Sequence, residues 1–469
     1  MTIVDTTELR VRFAATLSDL YGREVPAYQT LVEVSAEVNQ RYLEKNGADA
    51  QRLGSLARVT AERHGAIRVG SPNELRQAAV VFEAFGMYPV GFYDLRDAAP
   101  RPIPVVSTAF RPVDAAELAA NPFRVFTSML VPEDRRFFDA NLEARLQAFI
   151  GARTLFSVEL LELAEIAIAD GGLPVPEADR LLELATAAFA LSTEPIDEAW
   201  YRELDAISAV AADIGGVAST HINHLTPRVL DIDDLYESMQ ARGIEMIDDI
   251  QGPPDWDGPD VLLRQTSFRA LAEPRLFRRA DGTVGEGDLR VRFGEVEARG
   301  VALTSAGRDL YDELLAEVDR RRTVDPVRAR REVAREVWAE RMPHTERELE
   351  KRNLAFFTYS VAADAPRGGD LPSDLTALID GGWVVAEPIV YEDFLPRSAA
   401  GIFASNLTAA GTVNEESDGT PRDMEWLEMA IGKPILLPEE VYEAQRQASL
   451  TVVAEGLGLD GIDAQHLKE

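Results

Sequence analysis

The sequence contains no cysteine and only five histidines among its 469 residues. The absence of cysteine excludes disulfides, thiolate nucleophiles and zinc sites with cysteine ligands. Basic residues are also scarce, because 48 lysines and arginines face 80 aspartates and glutamates and the formal net charge is -32. Such a charge disfavours a nucleic-acid partner, since binding to phosphates requires clustered lysine and arginine. An anionic small molecule would need a local basic group in order to bind.

Long apolar stretches are missing as well. No segment approaches the roughly 20 apolar residues that a membrane-spanning helix needs, and the N-terminal residues do not resemble a signal peptide. These features predict a soluble, cytoplasmic protein without a membrane partner. The length is sufficient for two to four domains with a large core. The oligomeric state does not follow from the sequence.

Two segments of the chain repeat one pattern, in which a histidine is followed four residues later by arginine and then by valine. The first runs from His64 to Val69, and the second runs from His224 to Val229. A further echo follows each copy, with the sequence TAFR at 108–111 after the first and TSFR at 266–269 after the second. A repeat of this kind indicates two copies of one supersecondary unit.

Hydrophobic periodicity predicts the order β-α-β-β-β for both copies. In the first copy, a helix begins near Pro72 and strands are expected at 64–69, 87–95, 103–113 and 123–130. In the second copy, a helix ends at Gly243 and strands are expected near 221–230, 244–250, 261–269 and 289–297. The predicted fold class is α+β: two β-α-β-β-β modules form a central sheet, with large helical insertions.

The two modules account for only part of the chain, and helical patterns fill much of the rest. The predicted segments are an N-terminal helical segment (1–62), the first module (63–132), a helical insertion (133–213), the second module (214–304), a helical segment (305–374) and a C-terminal mixed α/β segment (375–469). The sequence assigns no role to the helical insertions beyond covering the modules.

Strand geometry indicates which histidines can share a site. Side chains alternate between the two faces of a strand, so His64 and Arg68 point the same way, whereas His221 and His224 point to opposite faces. We therefore pair His64 with His224 and interpret His221 as a residue that supports the site or the fold. The last strand of the second copy offers Glu295 and Glu297 on one face, and alternation favours neither of them.

Two histidines and one carboxylate leave coordination positions open, which suits non-haem Fe(II) that binds a chelating substrate and dioxygen. Mn(II) or Zn(II) is also compatible with these ligand types. Taken alone, a histidine at the start of a buried strand is more simply a hydrogen-bonded core residue, but the matched repeat favours metal ligands. Arg68 has two interpretations of equal weight: it binds an anionic substrate, or it pairs with a carboxylate of this acidic protein.

The sequence resembles one family in particular, the 2-oxoadipate dioxygenase/decarboxylases, also called hydroxyglutarate synthases, whose fold is of the vicinal oxygen chelate type. The matching strings lie around both histidines and on the later strands of both modules, and they run in consistent order from about residue 24 to about residue 407. They comprise residues 62–70, 86–95, 221–228, 263–268, 292–300 and 391–403.

The resemblance implies that His64, His224 and Glu295 bind Fe(2+), and that Arg68 binds the distal carboxylate of a small 2-oxo dicarboxylic acid. The substrate would contact five residues, which are His64, Arg68, His224, Arg397 and Ser398. The central sheet would hold the metal in the second module, and the C-terminal segment with Arg397 and Ser398 would close the active site. The implied reaction converts 2-oxoadipate and O2 to 2-hydroxyglutarate and CO2, as in lysine breakdown. Arg397 departs from the small apolar residue that usually precedes Ser398, and a side chain entering the pocket there would alter the preferred chain length.

Two alternatives differ in chemistry from this interpretation. A glyoxalase-like isomerase or lyase would use Zn(II) or Mn(II) on the same ligands to act on a small oxo acid. A non-catalytic module would bind a small acid without turning it over. Metal identity and oxygen dependence distinguish the two enzymes, and tight binding of a 2-oxo acid without turnover in the presence of iron would favour the non-catalytic module.

Overall fold

A computed structural model describes residues 2–47, 50, 52–98, 102–270, 272–290, 292–366, 371–395 and 419–467. The fold is α+β with several sheets, as the sequence predicts. Among the described helices, none combines the length and the apolar character needed to cross a bilayer.

The N-terminal segment is mostly helical. It contains β1 (Ile3–Asp5), α1 (Thr6–Glu24), α2 (Pro26–Asn46) and α3 (Leu56–Ala61). The Asp5 side chain caps α1 by accepting a hydrogen bond from the backbone N–H of Glu8 at 2.8 Å. In α1, the Phe13 ring stacks on Phe85 with 4.3 Å between the ring centroids. The N-terminal helices therefore cover the first module.

The first module has the predicted order, with one short helix added. It consists of β2 (Arg63–Val69), α4 (Pro72–Glu83), β3 (Tyr88–Asp94), β4 (Val105–Arg111), α5 (Ala115–Ala120) and β5 (Arg124–Leu130). Its strands lie in the order β3-β4-β5-β2, with β2 and β5 parallel and the other neighbours antiparallel. Alternate residues of β2 face opposite layers: Ile67 and Val69 pack with the N-terminal helices, and Ala66 packs on the other side.

Mainly helical structure separates the two modules. It contains α6 (Ala140–Ala152), α7 (Val158–Asp170), β6 (Gly172–Pro174), α8 (Val175–Ala188), β7 (Ile196–Asp197), α9 (Glu198–Asp205) and α10 (Ala209–Gly216). α7 ends at Gly171, which has a φ of 70° and thus the left-handed conformation that favours glycine. β6 then pairs with β1, so this insertion also contacts the N-terminus.

The second module differs from the prediction in its middle. It contains β8 (His224–Pro227), α11 (Ile232–Ala241), β9 (Leu263–Phe268), β10 (Glu273–Arg278), β11 (Val284–Leu289) and β12 (Gly294–Arg299). In place of the strand expected near 244–250, Met246 and Gln251 make only isolated bridges to β9. Acidic residues and a following Gly-Pro-Pro limit this edge segment, because proline cannot donate to a ladder.

The strand expected at 289–297 is also divided. β10 and β11 form an antiparallel hairpin, and β12 begins after it, at Gly294. The hairpin turns at Asp281-Gly282, and Gly282 has a φ of 83°, which is a conformation that a tight turn often requires. The Asp-Gly pair was a hairpin signal that the module pattern concealed.

The two modules meet through their first strands. β8 pairs antiparallel with β2, and Ala66 lies opposite His224 while His64 lies opposite Thr226. On its other side the chain after β8 contacts β12, where the backbone N–H of Val229 donates to Glu297 O at 2.8 Å. β12 pairs antiparallel with β9. One layer of strands thus continues from β3 in the first module to β9 in the second.

The chain after the second module forms its own core around Leu314, Val337 and Trp338. Its elements are α12 (Ser305–Val324), α13 (Arg330–Arg341), α14 (Glu346–Lys351), β13 (Phe357–Val361), α15 (Leu375–Asp380), β14 (Val384–Pro388), α16 (Met424–Ile431), α17 (Pro438–Leu457) and a 3-10 helix (Gln465–Leu467). β13 and β14 pair antiparallel. The backbone N–H of Ala302 donates to Ile389 O at 2.8 Å, which joins this core to the second module.

Candidate metal centre

His64 and His224 meet where the two modules join. They lie on adjacent antiparallel strands, and their ring centroids are 5.3 Å apart at an angle of 87°. His64 is on the face of β2 opposite to Ile67 and Val69, as strand alternation predicts. Both side chains are buried, with exposed fractions of 1% and 4%. The repeat therefore brings one histidine from each module to a single place.

Glu295 on β12 completes a group of three. Its Oε1 lies 3.5 Å from His64 Nε2, and its Oε2 lies 3.5 Å from His224 Nδ1. One potential ligand atom from each of the three residues lies within 4.8 Å of the others, and all three side chains are buried. Two imidazoles and a carboxylate converging in a buried place are a donor set that suits a divalent transition metal.

The pKa shifts in this group favour one positive charge, on His64, and disfavour a second one on His224. Burial raises the pKa of Glu295 above its usual value. Burial alone lowers the pKa of His64, but Glu297 and Glu295 raise it above its ordinary value. Burial and then the nearby His64 hold the pKa of His224 well below its usual range. A divalent cation would supply the charge that a proton on His64 otherwise provides, so the residues fit a metal.

Glu297 has a different position from Glu295, although both lie on one face of β12. Its Oε2 is 2.8 Å from His64 Nδ1, on the far side of the ring from Nε2. Arg299 forms two hydrogen bonds to Glu297 at 2.7 and 2.9 Å, and Arg124 forms one at 3.2 Å. Burial alone raises the pKa of Glu297, but Arg299 and His64 hold it well below its usual range. An ionised Glu297 thus fixes the His64 ring with Nε2 directed toward Glu295.

Other side chains orient the remaining two members. Gln265 on β9 donates a hydrogen bond from Nε2 to Glu295 Oε1. Thr226 Oγ1 lies 3.0 Å from His224 Nδ1. Both residues lie within the matching strings 263–268 and 221–228.

Two phenylalanines enclose the histidines. The Phe394 ring meets His64 edge-on at 5.0 Å, and the Phe293 ring stacks on His224 at 5.4 Å. Both are buried. Sequence reasoning did not single them out, although Phe394 lies within the matching string 391–403 and Phe293 precedes Glu295 by two residues.

Arg68 lies on the same face of β2 as His64, and it is 4% exposed. Its Nη1 donates to Asp213 Oδ2, so the pairing with a carboxylate that the sequence allowed is present. Asp213 also accepts a hydrogen bond from Asn223 Nδ2 at 2.8 Å. Although burial alone raises it, His221 and Arg68 lower the pKa of Asp213 below its ordinary value, so the carboxylate is charged at neutral pH.

His221 precedes β8 rather than lying within it, so strand alternation does not set its direction. Its Nε2 is 3.3 Å from Asp213 Oδ1 and 3.1 Å from Asn223 Nδ2. Burial lowers the pKa of His221 to about 4, and the ring is therefore neutral at pH 7. Its place beside the partner of Arg68 agrees with the supporting role that the sequence suggested. Asp213 itself was missed, although it is the one charged residue in the small apolar helix α10.

Arg228, the counterpart of Arg68 in the repeat, has different hydrogen-bond partners. Its Nη1 donates to Glu62 Oε2 at 3.0 Å, and its Nη2 donates to Leu53 O at 2.9 Å. The two arginines at equivalent positions of the repeat thus pair with different carboxylates, Arg68 with Asp213 and Arg228 with Glu62.

Arg397 and Ser398, the predicted pocket-closing residues, lie outside the described residues. The chain leading to them is held firmly as far as Leu395. Asp393 accepts two hydrogen bonds from Arg111, at 2.7 and 3.0 Å, and a third from the hydroxyl of Tyr442. Glu392 pairs with Arg58 and Arg124. These contacts fix Phe394 beside His64.

Comparison with known proteins identifies relatives over nearly the whole chain. A family model described as 2-oxoadipate dioxygenase/decarboxylase matches residues 13–406. A 2-oxoadipate dioxygenase/decarboxylase of Mycobacterium tuberculosis is 57% identical over 444 residues, which are 95% of this chain and 98% of that protein. The Escherichia coli protein of the same name is 39% identical over 453 residues, with the same coverage of each.

Solved structures agree with the sequence relatives. The crystal structure of the hydroxyglutarate synthase from Pseudomonas putida in complex with 2-oxoadipate superposes with a TM-score of 0.83 at 36% sequence identity. The superposition covers 98% of this chain and 100% of that one.

Proposed function

Since the chain belongs to the 2-oxoadipate dioxygenase/decarboxylase family, we propose that it converts 2-oxoadipate and O2 to 2-hydroxyglutarate and CO2 with Fe(2+) as its metal. The observation that carries this proposal is the buried group of His64, His224 and Glu295, with Arg68 on the same strand face as His64. The reaction balances without a second organic substrate. One oxygen atom enters the new carboxylate, the other becomes the hydroxyl group, and C1 leaves as CO2.

His64, His224 and Glu295 would hold the metal, which when bound supplies chelation of the 2-oxo acid and activation of dioxygen. Glu297 keeps a proton on His64 Nδ1, so that Nε2 offers its lone pair, and Gln265 directs one oxygen of Glu295. Phe394 and Phe293 exclude water around the histidines. The chain thus contributes a preorganised, largely dry site.

Arg68 would bind the distal carboxylate of the substrate. It presents a planar cation that matches a carboxylate with two parallel hydrogen bonds. On a protein with a net charge of -32, it also supplies the local positive group that a dianion needs. Arg397 and Ser398 stay predictions as pocket-closing residues, as do the cytoplasmic location and the role in lysine breakdown.

The decisive experiment uses protein purified anaerobically and loaded with Fe(2+). On addition of 2-oxoadipate and labelled O2, we expect oxygen uptake, CO2 and 2-hydroxyglutarate in equal amounts, with one labelled oxygen in the new carboxylate and one in the hydroxyl. Protein loaded with Zn(2+) serves as the control and should consume no oxygen. Turnover of an oxo acid by the Zn(2+) form, without oxygen uptake by the Fe(2+) form, would instead support a glyoxalase-like reaction.

Metal binding is tested separately by substitution. His64→Ala should abolish stoichiometric binding of Fe(2+), because it removes a ligand of the group. His344→Ala is the matched control, since His344 is exposed and hydrogen-bonded to Asp257 O and Ala339 O. Metal analysis of both variants decides the point, and full metal content in His64→Ala would refute the ligand assignment.

A further inference from the structure

Asp213 is a buried acid that the proposed reaction does not use directly. It projects from α10, which is tightly packed. Ala211 and Ala212 are fully buried, and a Cβ added at Gly216 would come within 2.9 Å of the Tyr201 ring. The C-terminal end of the helix is fastened by Arg153, which donates to Ile214 O at 2.6 Å. Asp213 is therefore attached to a rigid support.

Asp213 binds Arg68 and is itself contacted by two neighbours, Asn223 and His221. Its Oδ2 accepts hydrogen bonds from Arg68 Nη1 and from Asn223 Nδ2, the latter at 2.8 Å, and its Oδ1 lies 3.3 Å from His221 Nε2. The strand under Arg68 is also fixed, because Thr220 Oγ1 donates to Arg68 O at 2.5 Å. All five residues are at most 4% exposed. A long side chain with many rotamers is thus held in one position.

The fixed position sets a distance. Residues 64 and 68 are separated by four strand residues, which is about 13 Å at the usual rise of a strand. An extended six-carbon acid spans about 6 Å between its terminal carbons. The difference between these two lengths is of the order that the contacts at the two ends of the acid require, with the histidine group at one end and the guanidinium at the other. A guanidinium free to swing would serve shorter and longer acids equally well.

We infer that Asp213 is a positioning residue that holds the Arg68 guanidinium at a set distance from the His64–His224–Glu295 group and thereby selects six-carbon 2-oxo diacids over shorter and longer ones. The inference rests on the proposed function for its ligand class. It concerns selectivity rather than affinity. Removing the negative charge of Asp213 leaves Arg68 more attractive to any anion, whereas removing its grip lets the guanidinium move.

The test measures binding of four acids to anaerobic, Fe(2+)-loaded protein by calorimetry. They are 2-oxoglutarate, 2-oxoadipate, 2-oxopimelate and 2-oxohexanoate, the last of which has six carbons and lacks the distal carboxylate. For the unaltered protein we expect 2-oxoadipate to bind most tightly. In Asp213→Asn the preference for 2-oxoadipate over both neighbouring diacids should shrink about tenfold, the scale of one hydrogen bond to a charged group. Binding of 2-oxohexanoate should stay unchanged.

Asp134→Asn is the matched control, because Asp134 is a fully buried acid paired with Arg96 and Arg136 in another part of the fold. It should leave the relative affinities of the acids unaltered. Asn223→Ser removes a donor to Asp213 without touching Arg68, and it should reduce the same preference by a smaller factor. If Asp213→Asn does not fold, the selectivity of Asn223→Ser tests the inference in its place.

Unchanged selectivity in the folded variants, an equal loss in Asp134→Asn, or an equal change for 2-oxohexanoate would overturn the inference. Equal binding of all four acids by the unaltered protein would overturn it as well. Failure of the proposed function looks different: the unaltered protein would prefer 2-oxoadipate in anaerobic binding and yet consume no oxygen on addition of air. The two results are read from separate measurements on one preparation.

Discussion

Glu295 and Glu297 show how neighbouring residues of one type acquire different tasks. Both lie on one face of β12, but only Glu297 is surrounded by arginines, with Arg124 and Arg299 as partners. Its charge is therefore secured, and it can hold a proton on His64 Nδ1 at 2.8 Å. Strand alternation alone could not distinguish the two glutamates, because it does not show that Arg124, from the first module, pairs with Glu297.

Glu297→Gln should lower the affinity for Fe(2+) by about 10- to 100-fold, because the variant loses the ionised acceptor that orients a histidine ligand. Anaerobic titration with Fe(2+) measures this. Glu350→Gln is the control: Glu350 is also fully buried and pairs with Arg347, but it lies in the C-terminal core. Both variants should unfold more easily, since each removes the charge of a buried carboxylate that pairs with arginine. Equal metal affinities in the two variants would contradict the orienting role of Glu297.

His221 makes a second prediction at the residue scale, which concerns pH. Burial lowers its pKa in the folded protein to about 4, whereas an unfolded histidine titrates near 6.5. As pH falls below 6.5, the unfolded state binds a proton that the folded state does not, so this histidine destabilises the fold between pH 6.5 and 4. The loss between pH 7 and pH 5 is about 2 kcal/mol.

Urea unfolding of the metal-free protein at pH 7 and pH 5 measures this effect. The free energy of unfolding should fall more for the unaltered protein than for His221→Gln, in which the titrating group is absent. A constant difference between the two proteins at both pH values would show that His221 does not titrate as its burial requires.

At the scale of elements, the first module was predictable because each strand is a regular run of alternating or buried apolar residues. β2 and β5 are found within one residue of their predicted bounds. The second module was harder, because its element before β9 pairs only through isolated bridges and its last strand begins only at Gly294, after a hairpin that the prediction lacked. The hydrophobic pattern of a sequence indicates which residues are buried, whereas the structure of these segments depends on backbone contacts to residues far along the chain.

Gly294 lies where β12 begins, one residue before Glu295, and it packs against the ring of Phe268 on β9. A Cβ at this position would overlap the ring. Gly294→Ala should therefore lower the free energy of unfolding by about 1–3 kcal/mol, as is usual for overpacking, and should weaken metal binding by shifting Glu295.

Gly151→Ala provides the comparison. Gly151 lies in α6, and a Cβ there would meet nothing within 4 Å. This variant should be more stable by about 0.4–1 kcal/mol, because alanine restricts the unfolded chain and favours the helix. Denaturant unfolding and Fe(2+) titration of the two variants check both expectations. Undiminished stability in Gly294→Ala would mean that β9 and β12 yield more readily than their packing indicates.

For the whole molecule, four arginines with little or no exposure join segments that lie far apart in the sequence. One buried network connects the N-terminal segment, both modules and the C-terminal part through carboxylates that each bind more than one arginine. Its members are Arg58, Glu62, Arg124, Arg228, Glu297, Arg299 and Glu392. No sequence pattern announces such a network, because its partners are as much as 334 residues apart. The pairing of His64 with His224, in contrast, followed from the repeat.

Among the described residues, nine buried arginines are matched by ten buried carboxylates, so most of the net charge of -32 lies at the surface. Repulsion among exposed carboxylates then opposes the compact state, and salt screens it. The Debye length falls from about 10 Å at 0.1 M to about 3 Å at 1 M. Buried pairs such as Arg124 with Glu62 are screened far less.

We therefore expect the melting temperature to rise with sodium chloride over this range. Sodium chloride suits the measurement better than sulfate, which also strengthens hydrophobic burial. A melting temperature that falls with salt would indicate that exposed ion pairs outweigh the repulsion of the net charge.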